Sequence, residues 1–318
     1  MVLDLATIRA AHACIRPYII RTPVLTNPEL DAASGAQLFF KCENLQKAGA
    51  FKARGATHAV FSLDPGDAAR GVATHSSGNH AAALARAARL RGIPAHIVMP
   101  TNSARPKIRA VEGYGGQITF CEPTQSARET TCARIIAETH ATMVHPFENK
   151  HVIAGQGTAT LEFLEDISEL DLLLCPVGGG GLLAGTAIAG KALRPSLQII
   201  GTEPAGADDA ARSFRAGTRL PLTTVDTIAD GLRTNIGEIN FAIAQTHVDQ
   251  IVTVSEAAII EAMRLLWESL RVIVEASSAV PYAAILEKKV AVAGRRVGII
   301  LSGGNVDLDT LPWLPSTP

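Results

Sequence analysis

Residues 172–190 carry no charged side chain, and this stretch restricts the possible folds more than any other. It is long enough to cross a bilayer as a helix. However, Pro176 and four consecutive glycines at 178–181 lie inside it. They divide it into an apolar strand at 172–175 and an apolar helix that starts at Leu182. A strand, a glycine turn and a helix in this order predict an α/β fold and no membrane span.

The same alternation of short apolar runs and helical patterns continues along the chain. After Gly155-Gln-Gly157, we expect a helix from Thr158 to Leu164. The regular order predicts parallel sheets with helices on both faces, in two lobes. The large lobe would comprise residues 1–73 and 148–318, and a smaller mobile lobe residues 74–147. Predicted strands lie at 38–40, 71–74, 96–99, 118–121, 143–146, 172–175, 198–203, 250–254 and 297–301.

Composition excludes several classes of partner. The net charge is -1, without a basic or acidic block, and aromatic residues make up 4% of the chain. Neither nucleic acid nor a membrane surface is therefore an expected partner. The five cysteines form no CxxC pair and the N-terminus has no signal-peptide core, so we expect a reduced, cytoplasmic protein.

Lys52 is the candidate nucleophile. The apolar pattern that begins near Ala50 predicts a helix with Lys52 in its first turn. The helix dipole disfavours a cation there, and a lysine with a lowered pKa can form Schiff bases. The alternative is a lysine that only points into solvent.

Three loops that follow predicted strands could bind a ligand with Lys52. The Ser-Ser-Gly-Asn-His loop at 76–80 opens a helix and could hold a carboxylate, although it is also an ordinary helix cap. The four glycines at 178–181 could wrap a phosphate with their backbone N–H groups. The Ser-Gly-Gly-Asn turn at 302–305 brings a hydroxyl to a strand end.

A nicotinamide cofactor is a competing interpretation of the second half of the chain. The sequence from Gly179 to Ala184 satisfies G-x-G-x-x-G/A, and Glu203 follows about twenty residues later, as in the dinucleotide-binding fingerprint of a Rossmann-type dehydrogenase. This interpretation leaves Lys52 and the loop at 76–80 without a role.

The motifs together resemble those of a known family. Gly-Ala-Phe-Lys-Ala-Arg-Gly at 49–55, Ser-Ser-Gly-Asn-His at 76–80, Pro-Val-Gly-Gly-Gly-Gly at 176–181 and Ser-Gly-Gly-Asn at 302–305 occur in the order of the fold type II pyridoxal-phosphate enzymes. The chain is most similar to the serine/threonine dehydratase and serine racemase branch. The resemblance implies a two-lobed fold like that of the tryptophan synthase β chain, and a homodimer.

The resemblance also implies how the cofactor, pyridoxal 5'-phosphate, would be bound. Lys52 would carry it as a Schiff base, with Phe51 packed beside it. Asn79 would hydrogen-bond the ring hydroxyl, and Ser302 would face the pyridine nitrogen. The phosphate would be held by Gly178, Gly179, Gly180 and Gly181.

Substrate and metal sites follow from the same resemblance. Ser76, Ser77 and His80 would receive the carboxylate of an amino-acid substrate, and Ser77 would be a second acid or base on the face opposite Lys52. The remaining site would bind a divalent cation such as magnesium, manganese or calcium. Its ligands would be Glu203, Ala207 through its carbonyl oxygen, and Asp209; the alternative is that both acids are plain surface residues.

The expected activity is an ammonia-lyase that eliminates water from L-threonine, L-serine or a related 3-hydroxy amino acid. The alternatives are a serine racemase and a 3-hydroxyaspartate dehydratase. The chain departs from the family pattern at three places. Ala50 replaces a serine, which removes a hydroxyl near the cofactor, and Glu275-Ala replaces Glu-Pro at the pocket floor. Phe147 stands where racemases carry a polar residue, which favours elimination.

Overall fold

The computed structural model describes residues 1–76, 78–223 and 225–314. Its strands form two sheets, one of six strands in the order β1-β2-β10-β7-β8-β9 and one of four in the order β5-β4-β3-β6. All neighbouring strands are parallel except β1, which pairs with β2 in the antiparallel direction. The strands are β1 (Val24–Leu25), β2 (Gln37–Cys42), β3 (Val72–Thr74), β4 (Ala95–Pro100), β5 (Gln117–Cys121), β6 (Thr142–Met143), β7 (Leu172–Pro176), β8 (Gln198–Pro204), β9 (Gln250–Val254) and β10 (Arg296–Leu301).

The α-helices separate the strands in the predicted alternation. They are α1 (Leu5–Ile15), α2 (Pro28–Ser34), α3 (Lys52–Phe61), α4 (Pro65–Arg70), α5 (Asn79–Arg91), α6 (Arg105–Gly113), α7 (Gln125–Thr139), α8 (Lys150–Asp166), α9 (Gly181–Leu193), α10 (Asp209–Ala216), α11 (Glu238–His247), α12 (Glu256–Leu270) and α13 (Ala276–Leu286). The predicted class, parallel sheets with helices on both faces, is confirmed.

Both faces of the six-stranded sheet are buried. Leu172 and Leu174 of β7 pack with α2, α12 and α13 on one face. Leu173 and Cys175 pack with α8, α9, α10 and α11 on the other. Because consecutive strand residues point to opposite faces, a strand covered on both sides must be apolar throughout. This explains the uncharged run that the sequence shows.

The four-stranded sheet lies within residues 72–143, inside the predicted smaller lobe apart from the first residues of β3. Ile97 on one face packs with α3, α5 and α6, and Val98 on the other packs with α7. The lobe boundaries at 73/74 and 147/148 stay a prediction. Over the described residues, no helix is long and apolar enough to span a bilayer.

The predicted start of a helix at Thr158 was wrong, because α8 begins at Lys150 and runs through Gly155 and Gly157. A Cβ on Gly155 would lie 2.6 Å from the Cα of Gly55 in α3, and one on Gly157 would lie 2.9 Å from the carbonyl oxygen of Gly185 in α9. These two glycines therefore permit close helix packing. Sequence signals for a turn and for a helix crossing are the same, since both use the absence of a side chain.

Other elements also differ from prediction. The strand expected at 143–146 ends at Met143, because the next residues form the irregular segment that contacts Lys52. The helices α2, α4, α10 and α11 are additional to those expected from the apolar pattern.

Candidate active site

Lys52 is the first residue of α3, as predicted. Its Nζ donates a hydrogen bond to the carbonyl oxygen of Pro146 at 2.8 Å and lies 5.1 Å from the centre of the Phe51 ring. Burial lowers the pKa of Lys52 to about 8, and the nearby Glu275 opposes this shift. A substantial neutral fraction near physiological pH is what an amine nucleophile needs.

A buried ionic cluster on the other side of α3 holds this helix in place. Arg54 is fully buried and hydrogen-bonds both oxygens of Glu43 at 2.7 Å and both oxygens of Glu162 at 2.7 and 2.9 Å. Lys41 donates to Glu162 at 3.1 Å. Since Arg54 is two residues from Lys52 along the helix, fixing its guanidinium also fixes the direction in which Lys52 points.

The glycine loop joins β7 to α9 at the carboxyl end of the large sheet. Gly178, Gly179, Gly180 and Gly181 are all buried, and α9 begins at Gly181. Gly180 has φ +84, in the left-handed region that favours glycine. The first N–H groups of α9 have no partner within the helix, so the loop can accept an anion such as a phosphate.

The glycine loop also has no space for side chains, because Phe147 packs on it. A Cβ on Gly179 would lie 2.2 Å from ring carbons of Phe147, and one on Gly181 would lie 3.1 Å from its Cβ. The segment that contains Pro146 and Phe147 therefore contacts both Lys52 and the glycine loop. The structure brings these two predicted parts of the site together.

Hydrogen bonds connect Ser302 to the residue before Lys52, and Asn79 to Glu275 and Asn305. The carbonyl oxygen of Ser302, directly after β10, accepts a hydrogen bond from the N–H of Phe51 at 3.0 Å. The Nδ2 of Asn79 donates to the two carboxylate oxygens of Glu275 at 2.8 and 3.1 Å, and its Oδ1 accepts from Asn305 at 2.9 Å. Ala50, the departure from the family motif, pairs its backbone with Gly303.

Glu275 also lies in the site, although the sequence indicated it only as part of the Glu-Ala motif that replaces Glu-Pro. Burial raises its pKa to about 7, as does the charge of Asp230, whereas Asn79 and Lys107 lower it. Lys107 and Asp230 form an ion pair between α6 and the short helical turn at 230–232. A buried acid that titrates near neutrality beside Lys52 is a feature of functional sites.

The predicted substrate loop is described at Ser76 and His80, while Ser77 lies outside the described residues. The N–H of Gly78 donates to the Oγ of Ser76 at 3.4 Å. The Nε2 of His80 lies 3.1 Å from the carbonyl oxygen of Val144, which can only accept, so Nε2 carries the proton. Burial, followed by the charge of Lys52, lowers the pKa of His80 to about 3, so the ring is neutral.

Two further histidines, His75 and His145, lie in segments that also resemble the family, but neither of them had a predicted role in the site. The rings of His75 and His145 are 5.8 Å apart, and that of His145 is 4.5 Å from Phe147. The Nδ1 of His145 accepts from the N–H of Glu148 at 2.9 Å, which leaves Nε2–H as the donor. Burial lowers the pKa of both rings, that of His145 to about 4.

Glu203 is the second-to-last residue of β8, Ala207 and Asp209 follow this strand, and all three are buried. The two oxygens of Glu203 accept from the N–H groups of Ala210 at 3.2 Å and Ala211 at 2.7 Å. Asp209 Oδ2 accepts from Ile236 at 2.8 Å, and among the described residues its Oδ1 has no partner. Burial raises the pKa of Asp209 to about 6 and that of Glu203 well above its usual value. Two buried acids with an unsatisfied oxygen suit a cation, and the plain surface alternative does not fit them.

Comparisons with known proteins agree with the motifs. The sequence model of the family described as "Pyridoxal-phosphate dependent enzyme" matches residues 15–303. The chain is 51% identical over 304 residues to the beta-hydroxyaspartate dehydratase of Paracoccus denitrificans, covering 96% of both chains. It is 49% identical over 313 residues to the serine racemase of Arabidopsis thaliana, covering 97% of this chain and 95% of the other.

A solved structure, that of maize serine racemase, superposes with a TM-score of 0.95 at 47% identity, covering 98% of this chain and 96% of the other. The family match spans both the half with Lys52 and the half with the glycine loop, so the nicotinamide interpretation has no support. The buried Glu203, bonded to backbone N–H groups, is also not open to a ribose.

Proposed function

The chain belongs to the family of pyridoxal-phosphate dependent enzymes, and we propose that it is an ammonia-lyase that acts on 3-hydroxyaspartate. This reaction is one of the alternatives that the sequence left open. The chain is similar to a beta-hydroxyaspartate dehydratase and to serine racemases. This similarity supports a 3-hydroxyaspartate dehydratase or a serine racemase more than a lyase for L-threonine or L-serine.

The observation that carries the proposal is a group of donors that could bind a second carboxylate. Burial lowers the pKa of His75; among the neighbouring charges, Glu129 of α7 raises it and Arg128 of the same helix lowers it, so both side chains lie near this ring. Among the described residues, the buried Nε of Arg128 has no hydrogen-bond partner. His75 in turn lies beside His145, and the charge of Lys52 affects the pKa of His145. Threonine and serine have no carboxylate at Cβ, whereas 3-hydroxyaspartate has one that a guanidinium would recognise.

The residues of the site fit the cofactor. Lys52 would bind pyridoxal phosphate covalently, the glycine loop would hold its phosphate, and Asn79 and Ser302 would contact its ring. When bound, the cofactor supplies an electron sink for charge that develops at the substrate Cα. A neutral Lys52 can then take the Cα proton, and Pro146 orients its amine.

The rest of the reaction is elimination and hydrolysis. The β-hydroxyl takes up a proton and leaves as water, and the enamine that forms tautomerises to an imine. Water then replaces the nitrogen, so that 3-hydroxyaspartate gives oxaloacetate and ammonia. No net water is consumed, because one molecule leaves and one is added. The ring of Phe147 packs on the glycine loop, beside the Pro146 carbonyl group that accepts from Lys52.

A first experiment tests the cofactor and the substrate. The purified protein is reduced with borohydride, and peptide mapping should find the pyridoxyl group on Lys52. The isomers of 3-hydroxyaspartate, L-serine and L-threonine are then compared by the 2-oxo acid and ammonia that they release. A colourless protein without a pyridoxyl peptide would contradict the cofactor, and a higher kcat/KM for L-threonine would contradict the substrate.

A variant experiment tests the second carboxylate. Arg128→Ala should lower kcat/KM for 3-hydroxyaspartate by about 10- to 100-fold, the value of a charged hydrogen bond, and change that for L-serine much less. Arg134→Ala is the matched control, because Arg134 lies on the same helix and pairs with Glu138 on the surface. An equal loss for both substrates would refute the role of Arg128.

Serine racemase is the second candidate, favoured by the fold similarity at a TM-score of 0.95. Racemisation requires a proton donor on the face opposite Lys52, the role proposed for Ser77. Uptake of deuterium at Cα of L-serine recovered from heavy water, with inversion faster than release of pyruvate, would establish the racemase. We expect elimination to be faster, because Phe147 makes this part of the pocket less polar.

We also propose a divalent cation bound by Glu203, Asp209 and the carbonyl oxygen of Ala207. Its support is that both carboxylates are buried and that, among the described residues, the Oδ1 of Asp209 has no hydrogen-bond partner. A homodimer remains the expectation from the family resemblance, and its mass in solution tests it.

A further inference from the structure

Asn240 lies outside every motif of the sequence, and it contacts two parts of the candidate site at once. It is the third residue of α11 and is 1% exposed. Its Nδ2 donates to the carbonyl oxygen of Gly179 at 2.6 Å and to that of Phe147 at 3.1 Å. One amide group therefore joins the glycine loop to the segment that lies over it.

The start of α11 is tied to the same two segments by further hydrogen bonds. The N–H of Gly237, the residue before the helix, donates to the carbonyl oxygen of Gly179 at 3.1 Å. In the opposite direction, the carboxylate of Glu148 accepts from the N–H groups of Glu238 and Ile239. A carboxylate at a helix N-terminus is favourable, so this contact holds the segment that follows Phe147 against α11.

The position of Phe147 matters for Lys52 because the adjacent Pro146 accepts the hydrogen bond from the lysine amine. We propose that Asn240 is a positioning residue, which holds the glycine loop and the carbonyl group of Pro146 at a fixed separation. Asn240 then contributes both to phosphate binding in the loop and to the position of the carbonyl group that orients the Lys52 amine. This inference rests on the proposed function, because it assigns the glycine loop to the cofactor phosphate.

An amide is suited to this position by its chemistry. Both partners are carbonyl oxygens, so the side chain must offer two N–H donors, and an asparagine does so from one nitrogen. An aspartate has nearly the same shape but would place an acceptor against two acceptors. A leucine would leave both carbonyl groups without this donor. The packing also leaves little freedom, since a Cβ on Gly180 would lie 2.9 Å from the Cβ of Asn240.

The experiment compares Asn240→Asp, Asn240→Leu and a control, Thr186→Val. Thr186 is fully buried in α9 and hydrogen-bonds Thr160 at 3.0 Å, so its replacement also removes a buried hydrogen bond but contacts neither segment. The first measurement is amide hydrogen exchange of the protein without cofactor. Both Asn240 variants should show faster exchange in peptides covering 145–149 and 177–182 than the control, after correction for global stability.

The second measurement is the dissociation constant of pyridoxal phosphate, from titration of the protein without cofactor. The loss of two hydrogen bonds should raise this constant by about 10-fold or more in Asn240→Leu and further in Asn240→Asp, against less than about 3-fold in the control. The visible absorbance of the bound cofactor should shift in the Asn240 variants alone.

The two measurements separate the inference from the proposed function. If wild-type protein does not bind pyridoxal phosphate, the proposed function fails, while the exchange experiment still tests the coupling of the two segments. If wild-type protein binds it and the Asn240 variants match Thr186→Val in exchange, affinity and absorbance, Asn240 is only a structural residue and the inference is overturned.

Discussion

Replacement of Gly179 by alanine tests the contact on which the candidate site depends. The new Cβ would lie 2.2 Å from two ring carbons of Phe147, whereas carbon atoms in contact are about 3.5–4.0 Å apart. The ring must therefore move by more than 1 Å, away from the glycine loop. Overpacking of this kind costs about 1–3 kcal/mol, and we expect Gly179→Ala to lie near the upper end.

Removal of the ring should rescue the variant. Phe147→Ala alone should destabilise by about 2 kcal/mol, less than a fully buried phenylalanine, because the side chain is half-buried. The double variant should be destabilised by about 2 kcal/mol as well, since the alanine at 179 has no ring to displace. The coupling energy is then about 2–3 kcal/mol, which is within the range for residues in contact.

The free energy of unfolding of the protein without cofactor is measured by urea denaturation of wild type, both single variants and the double variant. Gly113→Ala is the control, because a Cβ on Gly113 meets no atom within 4 Å. It should change the stability by less than about 1 kcal/mol. If the two single effects add, Phe147 does not pack on the loop and the geometry of the site as described is wrong.

Three further predictions concern buried charges. Addition of magnesium, manganese or calcium should raise the melting temperature, since an ion bound only to the folded state stabilises it. Asp209→Ala should abolish this response. An equal rise in melting temperature in both proteins would exclude Asp209 as a ligand. Burial raises the pKa of Glu275 from 4.5 to about 7, so the folded state binds this proton more tightly and wild type should lose stability as pH rises from 4.5 through 7. Glu275→Gln should reduce this loss by about 3 kcal/mol, measured as the free energy of unfolding in urea at pH 4.5 and at pH 8 without cofactor. If the free energy of unfolding changes equally with pH in both proteins, Glu275 is not the buried group that titrates. Arg54→Met should destabilise by about 3–5 kcal/mol, because the buried Glu43 loses its charge partner and Glu162 keeps Lys41 but loses the guanidinium. Arg21→Ala removes the more exposed ion pairs with Glu165 and Asp166 and should cost less than about 1 kcal/mol. Similar urea midpoints for the two arginine variants would show that the buried cluster does not stabilise α3.

The sequence by itself determined the fold class and the elements that carry the site. A strand buried on both faces must be apolar, a left-handed turn such as that at Gly180 favours glycine, and a lysine in the first turn of a helix is recognisable from the pattern that follows it. These are local requirements, so they leave local signals. Periodicity therefore located β7 and the start of α3, and it failed for α8, where glycine serves a helix contact that is distant in sequence.

The tertiary structure decided which residues complete the site. Glutamate and histidine are common on protein surfaces, so the sequence does not distinguish Glu275 and His145. Their pKa values are shifted only because the fold buries them beside Lys52 and other charges. Asn240 is 61 residues from Gly179 and 93 from Phe147, and no local pattern marks it. Its importance arises where α11 meets two loops, because a hydrogen bond between distant segments depends on their packing and leaves no spacing in the sequence.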